Sequence, residues 1–368
     1  MPGLAKNKPV VLGSMLTVQD IQGWYLDNPL KPSTAQQSFP LVQSDQKSWK
    51  TISNNALLQN EAADPISLNS KVPVAGREGY KDVMGEMAPF GKAREMTADE
   101  IEKFEALKRK FAELKNPAVA QQLLDFYGDD LSFVRTAMNA EMAYLSWALV
   151  SNACSIGFVA ANSPYMQGLT AMDYGVEAWQ KDDVATAWSD PAALILDDIE
   201  SALELGDTYG KVYTTITINK KWFNYVRKNT QVQNYSATLV QTITNTQAPP
   251  TLETINSMLE EYFNVPVKFR VVDEKITRAS RNDVKTTINP FADGVAVFSQ
   301  STILGHFEWN AIPTVDPTRE TFESFFLVGN YKEIDPSYSK IYAKGRGFPV
   351  VDTYADNFYL KIDAVAWP

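Results

Sequence analysis

The chain has 368 residues, 45% of them hydrophobic, with 34 basic against 44 acidic side chains, one histidine and one cysteine. That length is more than one hydrophobic core usually serves, and the apolar content excludes wholesale disorder. Cys154 alone cannot form an internal disulfide, and with His306 alone beside it no Cys/His zinc site can be assembled within the chain. A Ser-His-Asp or Cys-His machine would have to use His306 as its one base. The net charge of −10 argues against a generic nucleic-acid binder, which needs a basic surface to displace counterions. That charge is uneven: residues 1–96 hold 10 Lys/Arg against 9 Asp/Glu, while the rest hold 24 against 35.

In chain order, the start MPGLAKNKPVVLGSML has no apolar core followed by a small-residue cleavage site. Residues 1–50 carry Trp24, Tyr25, Phe39 and Trp49 without a helical or strand period, which suggests an extended arm that orders by lying on something else. Residues 51–96 continue in that manner, with a hairpin expected from 71–80 followed by 82–87. The pattern then sharpens. Thr97 and Glu100 form a capping box, and Ile101, Phe104, Leu107, Phe111 and Leu114 follow at helical spacing. A second helix is expected from Pro117 to a stop at Gly128, then a long apolar one over 131–155, about 40 Å at 1.5 Å per residue. Arg135 and Glu141 on so apolar a helix need partners, and an internal ion pair is expected rather than catalysis.

The uncharged stretch 142–161 is long enough to span a bilayer, but Ser146, Ser151, Asn152, Ser155 and Gly157 interrupt it. A buried helix of a soluble protein is expected instead of a membrane span. After a Gly/Asn/Ser/Pro patch at 157–168, strands are predicted around 172–179 and 183–188, and an amphipathic helix after Ser189-Asp190-Pro191. Residues 211–218 read as a strand that hands over at Asn219 to a helix carrying Trp222, Phe223, Tyr225 and Val226. A polar stretch at 229–248, a helix at 252–262 and a strand at 265–272 complete this group. Residues 293–299 form an apolar strand, and 322–368 read as β throughout, with strands at 322–328, 340–344, 350–351 and 357–365. The fold class is α+β, with helices and strands in separate blocks.

Chemistry is hard to find. The sequence holds no dinucleotide fingerprint, Walker loop, nucleophile elbow or EF-hand spacing. Gly345-Arg346-Gly347 reads as a turn, and Asn234-Tyr235-Ser236 matches an acceptor pattern that carries no weight without a secretory signal. The pairs Asp182/Asp183 and Asp197/Asp198 are adjacent in sequence, so their side chains diverge and cannot face each other across a glycosidic bond. His306, flanked by aromatics, reads as a hydrogen-bonding residue. No catalytic, cofactor-binding or metal-binding residues, and no cofactors, are expected. Eight Trp, sixteen Tyr and eighteen Phe point instead to a surface-making subunit.

The order of these features resembles the tailed-bacteriophage major capsid proteins of the lambda-type capsid protein E family, with the Hong Kong 97-type fold. Five stretches carry the resemblance after the long non-helical front: TADEIEKFEALKRKF, FVRTAMNAEMAYLSWALVSNA, VATAWSDPAALILDDIESAL, KVYTTITINKKWFNYVRKN and FADGVAVFSQSTILGHFEW. The first 50 residues depart from it. The resemblance implies an N-terminal arm (1–48), an extended loop (49–96), and a peripheral domain (97–190) with a spine helix at about 131–157. It further implies an axial domain (191–317) and return strands of the peripheral domain (318–368).

The implied function is self-assembly, through pentamers and hexamers, into an icosahedral head enclosing double-stranded DNA without sequence-specific binding. Separate scaffolding, portal and decoration proteins are the implied partners, with no membrane. The protein would reside in the virion after assembly in the host cytoplasm. No charged helical region precedes the arm, so a fused scaffolding segment is not expected. Lys71 and Lys81 are the loop residues to test for cross-linking. The alternatives are a cellular nanocompartment shell of the same fold, a carbohydrate-active enzyme using Asp/Glu pairs, and a tail or baseplate protein.

Overall fold

The computed structural model describes residues 18–54, 80–114, 117–157, 171–240, 249–279, 285–334 and 337–367. Residues 18–43, within the stretch expected to be an arm, form two helices and a strand that pack against the first core of the same chain. Helices α1 (Val18–Asp27) and α2 (Thr34–Ser38) lead into β1 (Leu41–Gln43). Ser33 caps α2 by accepting the Gln36 amide, and Ala35 and Phe39 are fully buried. Single large anchors separated by polar residues hold this segment, so no period was visible.

Strands β2 (Ser48–Asn54) and β3 (Tyr80–Glu86) pair antiparallel, with Ser48 opposite Glu86 and Asn54 opposite Tyr80. The predicted hairpin of 71–80 with 82–87 is therefore corrected: 80–86 is one strand and its partner is 48–54, while 71–79 lie outside the described residues. A single pair explains the register. Trp49 stands opposite Gly85, and a Cβ at Gly85 would lie 2.2 Å from Met172 Cε and 3.0 Å from the Trp49 ring.

Strand β4 (Ala88–Met96) runs into α3 (Ala98–Leu114), whose first turn is closed by the Thr97 amide donating to Glu100 at 2.8 Å. Then comes α4 (Pro117–Ser151), 35 residues and about 50 Å long. The predicted stop at Gly128 does not occur, and the long helix covers 117–151 rather than about 131–157. Gly128 is there for packing: a Cβ would sit 2.9 Å from Trp24 Nε1 of α1. The helix ends after Ser151 because Ala153 and Cys154 take left-handed φ values of 48° and 54°. Its buried serines are satisfied within the helix, Ser146 donating to the Met142 carbonyl and Ser151 to that of Trp147.

The strands expected at 172–179 and 183–188 shrink to β6 (Met172–Asp173), paired with β5 (Ser155–Ile156), and to β7 (Lys181–Asp183). Between β6 and β7, Gln180 in a short 3-10 turn spends its side-chain amide on the carbonyls of Tyr354 and Asn357, both at 2.8 Å, which fixes a loop instead of a ladder. The patch at 158–168 lies outside the described residues. Next follow α5 (Ile195–Thr208), β8 (Thr215–Asn219), α6 (Lys220–Val226), α7 (Thr230–Val240), α8 (Leu252–Phe263) and β9 (Lys268–Val272). α7 replaces part of the polar stretch read at 229–248. Only Val232 and Ser236 of its described side chains are buried, a stripe too thin to read, and 241–248 are outside the described residues.

Strands β10 (Ile276–Ala279) and β11 (Lys285–Ile288) form a hairpin; β12 (Val295–Ser299) and β13 (Gly305–Trp309) follow. The tail contains β14 (Glu320–Glu323), β15 (Phe326–Ile334), β16 (Ser337–Val351) and β17 (Phe358–Lys361). The two short strands predicted at 340–344 and 350–351 are parts of one 15-residue strand. β16 organises a six-stranded sheet in the order β1-β13-β16-β15-β14, with β4 also pairing β16, off this path.

A second sheet, β7-β17-β12-β8-β9, is the wall between two cores. Along β12, Val295 and Val297 belong to the first core, with α4 and the β16 sheet; Ala296 and Phe298 belong to the second, with α5 to α8. β17 alternates likewise, Tyr359 facing the first core and Phe358 and Leu360 the second. Burial on both faces is why β12 reads as an unbroken apolar run.

Candidate functional site

The described residues that sequence reading singled out do not converge, and most of them are tied into the scaffold. Arg135 on α4 donates through Nε to Glu323 of β14 at 2.7 Å and through Nη1 to the Asn28 carbonyl at 2.8 Å. Its guanidinium lies over the rings of Trp24 and Tyr25, 5.0 and 4.6 Å from their centroids, so it pins α1 against the long helix. Glu141 pairs with Arg278 of β10 at 3.2 Å, and burial pushes its carboxyl above the usual range. Asp198 accepts from Trp188 Nε1 at 2.8 Å, and Asp197 from Gln231 at 2.7 Å. Asp182 and Asp183 are exposed, with the Asp183 amide donating to Asp182 at 2.9 Å.

Cys154 is fully buried, its Sγ 2.9 Å from the Tyr359 hydroxyl, and burial pushes the thiol up to about 12, so it is not a nucleophile at neutral pH. Asn234-Tyr235-Ser236 lies inside α7, with the Ser236 hydroxyl buried and donating to the Val232 carbonyl. Gly345-Arg346-Gly347 is not a turn but the middle of β16, where a Cβ at Gly345 would meet Met138 at 2.9 Å. Lys71 lies outside the described residues; Lys81 is on β3, opposite Ser53. Among the described residues no three His, Cys, Asp or Glu side chains gather as a metal site would require, and no helix is long and apolar enough to cross a membrane.

What the geometry does build is a set of joints and outward surfaces. The base of the β2–β3 hairpin is held by Trp49, sandwiched between Tyr174 and Phe348 with both centroids at 5.3 Å and planes 15° and 5° apart. Beyond that base, Met84 is 64% exposed. At a second joint, Trp147 of α4 donates to Glu274 at 3.4 Å and lies 5.2 Å beneath the Arg270 guanidinium of β9. Arg270 also donates to the Thr302 carbonyl at 2.8 Å and to Ser38, so α2, α4 and the second core meet there.

The loop before β14 is drawn tight by Glu320, which accepts the amides of Val315 at 2.6 Å and Asp316 at 3.1 Å and leaves Val315 88% exposed. An open groove of about 400 Å³ is lined by Phe90, Lys92, Ile312, Tyr342 and Lys344, on the β4–β16 surface. Sequence spacing carried no signal for these joints, because Trp49 and Phe348, or Ser38 and Arg270, are hundreds of positions apart.

The sequence profile of the family described as phage major capsid protein E matches residues 59–355. No curated protein matches the chain. Among solved structures, one assigned as the capsid protein of a prophage of Escherichia coli CFT073 superposes with a TM-score of 0.54 at 14% identity, over 94% of this chain and 99% of that one. A phage-related protein from Bordetella bronchiseptica RB50 gives 0.49 at 11% identity, over 95% and 98%. The capsid of cyanophage A-1(L) gives 0.48 at 11% identity, over 93% and 96%. With its profile match covering most of its length and its fold that of Hong Kong 97-type capsid proteins, the chain belongs to the phage major capsid protein E family and is a major capsid protein.

Proposed function

We propose that the chain assembles with copies of itself, as pentamers and hexamers, into an icosahedral head that encloses double-stranded DNA, and that it catalyses no reaction. The observation that carries this reading is the family match over residues 59–355. The scaffold agrees with it: Arg135, Asp198, Cys154 and Glu320 are committed to internal contacts, while Met84 of the hairpin, Val315 and the β4–β16 groove face outward. One subunit in many shell positions needs contacts that tolerate changes of angle, and arms reaching over neighbours would supply that tolerance.

In this reading residues 1–48 are the arm and 49–96 the extended loop. Residues 97–190 with 318–368 form the peripheral domain, and 191–317 the axial domain. The second core draws mainly on residues of the proposed axial stretch, 193–298, joined by Val184, Trp188 and residues 358–362 from the two proposed peripheral stretches. Scaffolding, portal and decoration proteins are separate partners, and assembly takes place in the host cytoplasm before the protein is carried in the virion. The net charge of −10 suits a wall that contains DNA without gripping it.

The test is nuclease treatment of particles purified from infected or induced cells. Double-stranded DNA protected until the particles are opened is the expected result. Intact shells that protect enzyme cargo and no DNA would overturn the DNA-head reading in favour of a nanocompartment.

A further inference from the structure

His306 is the only histidine in the chain, and no predicted chemistry used it. It lies on β13, opposite Val350 of β16, with its ring half-buried between two carboxylates. Its Nδ1 is 2.8 Å from Asp352 Oδ2, and its Nε2 is 4.0 Å from Glu308 Oε2. Asp352 is shared. Its other oxygen, Oδ1, accepts from the Thr51 hydroxyl at 3.2 Å, and Thr51 is a buried residue of β2, at the base of the hairpin. The line Glu308–His306–Asp352–Thr51 thus runs from the central sheet to the β2–β3 hairpin through one imidazole.

We propose that His306, Asp352 and Thr51 form a protonation-dependent latch that fastens the base of the β2–β3 hairpin to the β13–β16 sheet. A charged imidazolium between two carboxylates fixes Asp352 in place, and the fixed carboxylate presents Oδ1 to Thr51. A neutral ring keeps at most the hydrogen bond and loses the attraction to both carboxylates, so Asp352 is freer to swing toward solvent and away from Thr51. Asp352 and Glu308 are the ionisable groups that face the ring; the neighbouring Lys50 is paired with Asp82 at 2.8 Å, within the hairpin.

The sign follows from the contacts. The hydrogen bond to Asp352 is the largest influence on His306, opposed by burial, and the net effect holds the imidazole above its ordinary value. A group raised in the folded state contributes stability that is complete below the unfolded value, near 6.5, and is lost as pH climbs through the folded one. The latch is therefore closed in mild acid and loosens toward alkaline pH. The pair is partly open to solvent, so the effect is small and salt-sensitive.

Hydrogen exchange of the full chain between pH 5.5 and 9, corrected for intrinsic rates, reads the latch directly at 48–51 and 82–86. Opening of these amides is expected to rise roughly two- to fivefold across that range. His306→Gln and Thr51→Val should each remove the pH dependence. NMR of the single histidine provides a readout independent of hairpin stability. Its midpoint should lie above the ordinary value, fall in Asp352→Asn, and stay raised in Thr51→Val. A hairpin whose protection does not change with pH, or changes equally in His306→Gln, would overturn the proposal, as would an unshifted histidine midpoint.

Discussion

The two cores are built in opposite ways. The second gathers α5, β8, α6, α7, α8 and β9 from one continuous run of chain and borrows only β12 and β17 from elsewhere. The first is stitched from pieces far apart: β4 pairs with β16, Met96 opposite Ser339, and β1 pairs with β13, Leu41 opposite Phe307. Cores assembled from neighbouring elements are cheap in loop-closure entropy, whereas pairings across hundreds of residues must be held by strong anchors once made. The anchors in the first core are of that kind: Trp49 between two rings, Arg135 between two rings and a carboxylate, Trp147 beneath Arg270.

Because both cores share the wall sheet, neither can melt without exposing a face of the other. Phe298→Ala in the second core and Trp147→Ala in the first should each cost about 3–5 kcal/mol in urea titration. Each should also lower a single calorimetric transition; two resolved transitions would break the picture of a shared wall. Glu323→Ala should be comparably damaging, about 3–5 kcal/mol, because it strands the buried Arg135 guanidinium. The paired replacement Arg135→Met with Glu323→Leu should restore most of that loss, and a double variant as unstable as the single would show that α1 docking depends on the ions themselves.

Smaller effects sharpen the contrast further. Asn219 caps α6 by accepting the Trp222 amide at 3.0 Å and also donates to Asp293 at 2.7 Å; Asn219→Ala should cost about 1–2 kcal/mol and be felt only in the second core. Thr97→Ala at the start of α3 should cost about 0.5–1 kcal/mol, read as a shift in urea midpoint without a change in slope.

The same contrast explains what the sequence made legible. The capping box at Thr97, the apolar faces of α5 and α8, the Asn219 turn into α6 and the double-faced β12 are local patterns, and each was read close to its true place. The hairpin was misassigned because its partner strand lies across 25 intervening residues, and Gly128 misled because its reason for being glycine is Trp24, a hundred positions earlier. The joints were illegible for the same reason: nothing near Asp352 in sequence announces His306 or Thr51.

The central claim is that this chain is a shell subunit. Negative-stain microscopy of the full chain, expressed and purified without partners, tests it most directly. The account predicts closed isometric particles of uniform diameter. A preparation made only of small particles of single-chain size would contradict it.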